Sequence, residues 1–257
     1  MRECERRSPQ IINILNMLSN TQGIVLRSVK YGETSLIFDV YTSAWGMRTY
    51  IAHGVRQAKS RISYLLLRPA ALLDMVVYHV PDKDINHIKE IKPSYIYTRL
   101  PFSVKHGAIG LFMSELLQKT MRDADASPDL FAFLQRSFEL LDQSEHIAPA
   151  FFLIFMSQLS VYLGFAPQVA SFTPDSVFDY RNGIFVQPEN GENVQYFDPE
   201  SSQYLVDVCC TDLNEADTLS IPAPSRAQLY RNLLDFYSFH VSGLSELQSY
   251  EVLKRIF

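Results

Sequence analysis

The sequence predicts an α+β protein: an N-terminal five-stranded β-barrel, then a mainly α-helical C-terminal domain with a small β-hairpin insertion. Between residues 23 and 97, short runs rich in Ile, Val, Leu, Phe, Tyr and Thr alternate with turn residues. Beyond Pro101 the apolar repeat lengthens to about 3.6 residues, the period of a helix. Within that helical region, residues 167–198 break into Pro, Gly, Asn and Asp.

The first three strands are expected at 23–29, 36–42 and 47–52, separated by Tyr31-Gly32-Glu33 and Trp45-Gly46. Leu36, Phe38 and Val40 share one face because successive strand side chains alternate, so that face is core. After Gly54 comes the polar, basic stretch 55–61, and then strand-like runs at 70–80 and 87–97. Five short strands within about 80 residues fit a small closed barrel. Val104, Ile109, Phe112, Met113, Leu116 and Leu117 then mark a helix with Lys119 and Arg122 in its last turn. Ser127-Pro128 opens a second helix as N-cap and first-turn proline. Residues 149–163 are apolar nearly all round, as suits the centre of a bundle, and Gly164 ends them. A hairpin is expected from 177–180 and 183–186 around Arg181-Asn182-Gly183. Asp198-Pro199 opens a helix through Cys209, and 223–241 and 244–257 supply the last two. The domains expected are thus 17–100 and 101–257, with the hairpin insertion at about 168–198. Residues 1–16 are expected to be a disordered extension ahead of a natural start at Met17.

The 257 residues, 47% apolar and 20% charged, suffice for a real core and exclude disordered and collagen-like classes. The apolar run 151–163 is broken by Ser157, Gln158 and Ser160, so no membrane span is expected, and no secretory signal is visible. Cys4, Cys209 and Cys210 make a poor disulfide framework and point to a reduced, cytoplasmic protein. The six histidines are scattered, and the common nucleophile, P-loop and dinucleotide motifs are missing. No catalytic residue, metal, cofactor or small-molecule substrate is expected.

Net charge is −5, but the charges are segregated. Residues 17–69 are locally basic, whereas 172–220 carry one basic residue, Arg181, among ten acidic ones. Such asymmetry marks either a polyanion-binding module or an ordinary solvated surface. Single-stranded nucleic acid binds where cations meet phosphates and aromatic faces meet bases. Arg27, Lys30, Arg48, Arg56, Lys59, Arg61 and Arg68 are the candidate cations. Tyr31, Tyr41, Trp45 and Tyr50 offer stacking faces, unless Trp45 plugs the barrel end and the tyrosines fill core and rim. Oligonucleotide-binding (OB) barrels use strands two and three with their flanking loops, about where Arg48, Tyr50 and residues 54–61 lie.

Gly23-Ile24-Val25-Leu26-Arg27, Tyr31-Gly32-Glu33-Thr34-Ser35, Gly46 and the stretch 52–61 resemble, in order and spacing, the N-terminal signature of the bacterial RecO DNA-repair family. Residues 162–168 resemble that family's segment closing a central helix, and 243–253 its C-terminal helix. The resemblance implies an OB-fold barrel plus a helical domain and a nucleoid-associated location. It implies a recombination mediator without turnover that binds single- and double-stranded DNA and anneals complementary strands. With the partner RecR it would promote recombinase loading on DNA coated by single-strand-binding protein. Many members carry a CxxC…CxxC zinc module after the Leu-Gly-Phe segment, but residues 165–203 here hold no Cys or His, so no structural zinc is expected. A site for the tail of single-strand-binding protein would need an apolar groove edged by cations, for which Lys105, Lys119, Arg122 and Arg136 are candidates. The same four also suit solvated helix-end charges. The alternative function is a protein-interaction scaffold whose barrel binds a protein tail.

Overall fold

The first strand, β1 (Met17–Tyr31), is long because it serves two partners. In this computed structural model, which describes residues 17–55, 64–80, 83–122, 124–188, 195–244 and 246–257, β1 pairs with β4 (Leu72–His79) through residues 17–24. Through residues 23–31 it pairs with β2 (Ser35–Thr42). β2 continues antiparallel to β3 (Gly46–Ala52), β3 runs parallel to β5 (Ile85–Pro93), and β5 closes on β4. The closed order β1-β2-β3-β5-β4 is the expected OB-fold barrel. The polar half of β1, with Ser19, Asn20, Thr21 and Gln22, gave no strand pattern, and its pairing with β4 is what holds it extended. Gly23 stands where β1 changes partners. A Cβ there would lie 2.5 Å from Val40 Cγ1 and 3.1 Å from Met75 Sδ, so only glycine passes this seam.

Val25, Leu36, Phe38, Val40, Tyr50, Ala52, Leu73, Met75 and Val77 fill the barrel, with Leu67 of a 3-10 turn (Tyr64–Leu67) entering as a plug. A bulge at Leu26 shifts the alternation of β1, so that Leu26 joins Ile24 outside and Arg27 also points outward. Ile24, Leu26, Tyr41 and Leu72 form an outer stripe that merges with the helical core.

That core is built by α1 (Val104–Thr120), α2 (Pro128–Gln143), α3 (Phe151–Tyr162), α4 (Pro199–Cys210), α5 (Ala223–His240) and α6 (Gln248–Ile256). Ser127 caps α2 by accepting from Leu130 N–H, and Asp198 caps α4 by accepting from Ser201 N–H. Arg122 lies beyond the end of α1 rather than in its last turn. α6 begins at Gln248 rather than 244 because Glu115 of α1 accepts from Gln248 N–H (3.0 Å) and Ser249 N–H (2.8 Å), fixing its N-terminus.

Barrel and helices are locked by buried polar contacts. Gly46, at φ 67°, brings its turn against the segment after α1, where Met47 N–H donates to the Ala124 carbonyl at 2.9 Å. Tyr41 donates to the Asp125 carbonyl (3.2 Å) and accepts from Ser127 N–H (3.1 Å). Asp142, at the end of α2 and fully buried, accepts from Thr98 N–H (2.9 Å), Arg99 N–H (2.8 Å) and Leu100 N–H (2.7 Å) of the inter-domain linker. Burial pushes its carboxyl up, but these hydrogen bonds and that of the Thr98 hydroxyl together hold it below the usual carboxylate range.

The hairpin of β6 (Val177–Asp179) and β7 (Ile184–Val186) falls where expected, its turn capped by Asp179, which accepts from Arg181 N–H at 2.9 Å. Phe178 anchors it, with ring centroids 5.0 Å from Phe185, 5.0 Å from Phe197 and 5.2 Å from Phe236. His240 stacks on Phe165 at 5.0 Å and meets the Tyr180 carbonyl at 3.0 Å. Among the described residues no helix is long and apolar enough to cross a membrane.

Candidate nucleic-acid interface

The outer wall of the barrel carries a second stripe, which none of the described helices covers. Strand register sets its rows: Val29, Ile37, Ile51 and His87 lie side by side across β1, β2, β3 and β5, and Arg27, Asp39, Thr49 and Ile85 form the next row. At the end of the stripe Tyr31 pairs with Ser35, whose hydroxyl lies 3.1 Å from His53 Nδ1. Tyr31 is 56% exposed, and Arg27, Val29, Lys30, His53 and His87 are exposed as well. Such a surface offers cations, an aromatic face and a shallow apolar floor to a passing strand.

Of the cations expected at the interface, Arg27, Lys30 and Arg68 are exposed. Arg27 is held at 3.8 Å from Asp39, which also accepts from the Thr49 hydroxyl at 2.8 Å, so part of its charge is spent locally. Lys30, opposite Leu36, stands at the rim. Arg56, Lys59 and Arg61 lie outside the described residues.

Arg48 and Tyr50 require correction. They pair with Val40 and Phe38, both buried interior residues, so the parity of β3 aims them into the barrel rather than onto its wall. Tyr50 is fully buried and offers no face to a base. Burial raises its phenol well above the usual range, with Arg48 pulling weakly the other way. Arg48 Nε, Tyr50 Oη and His79 Nδ1 are buried without hydrogen-bond partners. Trp45 lies flat on His79 (4.1 Å between centroids, 12° between planes) and packs against the barrel core, as a plug. Tyr41 is consumed by the inter-domain contact described above. Only Tyr31 of the four candidate aromatics is exposed.

What the sequence left unread is a pair of imidazoles. His53 and His87, 34 positions apart, are brought to 5.6 Å between ring centroids because β3 and β5 are parallel neighbours. Burial, then Lys83, then His53 lower the His87 pKa below the usual imidazole value. His106 bridges Ser103 Oγ (2.7 Å) and the Ser144 carbonyl (2.9 Å), a structural role.

A groove of about 690 Å³ lies elsewhere on the barrel, over β1, β4 and β5. It is lined by Asp74 and Glu90 as well as Lys92, which makes it poor ground for phosphate. The four candidate tail-binding cations do not converge. Lys105 and Lys119 stand at opposite ends of α1, about 20 Å apart at the helical rise. Lys105 Nζ lies 5.3 Å from the Phe257 ring centroid. Lys119 is committed to Glu115 (3.0 Å) and to the Glu246 carbonyl. Arg136 edges a groove of about 360 Å³ floored by Phe133, Leu140, Tyr162 and Leu213.

Residues 17–97 match the family model described as recombination protein O N terminal, and residues 104–249 match recombination protein O C terminal. The second match alone spans more than half of the chain. The chain belongs to the recombination protein O family. Among its relatives is a DNA repair protein RecO of Bacteroides fragilis, 28% identical over 241 residues, covering 94% of this chain and all of that protein. Another, from Christiangramia forsetii, is 29% identical over 242 residues with the same coverage. The boundary between the two matches, 97–104, coincides with the linker that Asp142 clamps in this RecO-family chain.

Proposed function

We propose that the protein acts in DNA repair and recombination as a non-enzymatic mediator that binds single- and double-stranded DNA along the uncovered stripe of the barrel. The observation that carries this is the stripe itself, with Arg27, Tyr31, His53 and His87 exposed on one wall of an OB-fold barrel and Lys30 exposed at its rim. Arg68 and the basic segment holding Arg56, Lys59 and Arg61 extend the phosphate contacts. Annealing of complementary strands then requires charge neutralisation that lets two polyanions approach, with binding loose enough to release the duplex. Residues 172–220, with ten acidic residues to one basic, keep the remainder of the molecule from competing for the strand. Of the candidate cations, only Arg136 adjoins a described groove with an apolar floor, of Phe133, Leu140, Tyr162 and Leu213, and we assign it to the acidic, hydrophobic tail of single-strand-binding protein, although Asp212 shares the lining. RecR is the partner expected for recombinase loading.

Anisotropy of a labelled single-stranded oligonucleotide across a salt series tests the proposal. Wild type should bind with a steep log–log slope, and Arg56→Ala/Lys59→Ala/Arg61→Ala should flatten it by roughly two units. Binding indifferent to salt would contradict it and favour the scaffold.

A further inference from the structure

We infer that His53, His87 and Lys83 form one phosphate-contact subsite on the barrel's uncovered wall, so that strand binding there takes up a proton. The inference deepens the proposed function and rests on it. Two exposed imidazoles held 5.6 Å apart, with a lysine close enough to depress one of them, make a concentrated donor surface. In the free protein that surface works against its own charge, because a proton added to His87 meets Lys83 and the neighbouring His53 ring. The groups that face the pair are few. β2 contributes the Ser35 hydroxyl, and β4 contributes Tyr78, the ladder partner of His87. Ile51 of β3 lies on the other side of His87, and the β4–β5 connection contributes Lys83. Among the described residues both charged groups that act on His87 are basic; the carboxylates nearest in sequence, Asp84 beside Lys83 and Glu33 before Ser35, are not among the groups that shift it. A pair of imidazoles and a lysine so placed offers its donors to an anion from outside, and a phosphodiester fits where Tyr31 adjoins through Ser35.

The sign follows from linkage. A phosphate beside His87 favours the imidazolium and raises its pKa toward or above the ordinary value. Bound complex therefore holds more protons than free protein, and affinity rises as pH falls from 8 toward 5.5.

The test measures anisotropy of a labelled oligothymidylate at pH 8, 7, 6.5 and 5.5 at fixed ionic strength, for wild type and His53→Gln/His87→Gln. Both side chains are exposed, so the variant should fold, and circular dichroism at each pH verifies it. Wild type should tighten about three- to tenfold toward pH 5.5, and the variant's affinity should change less than twofold. The imidazole C2–H resonance of His87 should titrate at higher pH when the oligonucleotide is bound. A wild-type affinity flat in pH would overturn the subsite while leaving DNA binding intact. Equal tightening of both proteins would also overturn it, because the responsible group would lie elsewhere. Failure of wild type to bind at any pH in low salt would overturn the nucleic-acid reading and the subsite together.

Discussion

The two outer stripes of the barrel are made of much the same material and meet opposite fates. Ile24, Leu26, Tyr41 and Leu72 are cemented to the helical domain, whereas Val29, Tyr31, Ile37 and Ile51, only a few residues along the same strands, face away from it. A tyrosine in one stripe is a structural bolt, with two hydrogen bonds into the segment between α1 and α2. A tyrosine in the other is a free face. The difference teaches that local composition does not mark a binding surface here; what marks it is where the second domain stops.

The largest effect should come from breaking the clamp that holds the covered stripe in place. Asp142→Ala leaves three linker N–H groups without their acceptor and should cost about 2–4 kcal/mol in urea unfolding at neutral pH. The native carboxyl titrates below its unfolded value. Its contribution is therefore full above the ordinary carboxylate range and is lost as pH falls through the folded value. The gap between wild type and variant should accordingly narrow below about pH 4. A gap constant in pH would mean that the clamp does not depend on charge.

A smaller pair of effects should separate the stripes directly. Tyr41→Phe should lower stability by about 1 kcal/mol and leave oligonucleotide affinity unchanged. Tyr31→Ala should do the reverse, leaving stability unchanged and weakening single-strand binding by about 1–3 kcal/mol. If both variants lost stability and neither lost affinity, the uncovered stripe would be no more than exposed barrel wall.

Much of the fold was legible in the sequence because its signals were local. The period-two run at Leu36, Phe38 and Val40, the Ser127 and Asp198 caps and the stop at Gly164 each declare themselves within a few residues. The polar half of β1 was not legible, since Ser19 to Gln22 are strand only by virtue of β4, more than 50 positions away. The candidate site was half legible for the same reason. Basic residues could be counted, but whether Arg48 points in or out depends on its partner Val40 across the ladder. His53 and His87 become neighbours only through the parallel pairing of β3 with β5.

The inward and outward cations supply the most direct experiment. Salt-dependent oligonucleotide binding would be compared for wild type, Arg27→Ala/Arg68→Ala and Arg48→Met. The outward double variant should flatten the log–log slope by up to about 1.4 units, about 0.7 for each phosphate left without its cation, while Arg48→Met should keep the wild-type slope. A slope unchanged by the first variant and flattened by the second would place the strand at the barrel mouth over Arg48 and contradict the uncovered wall as the nucleic-acid surface.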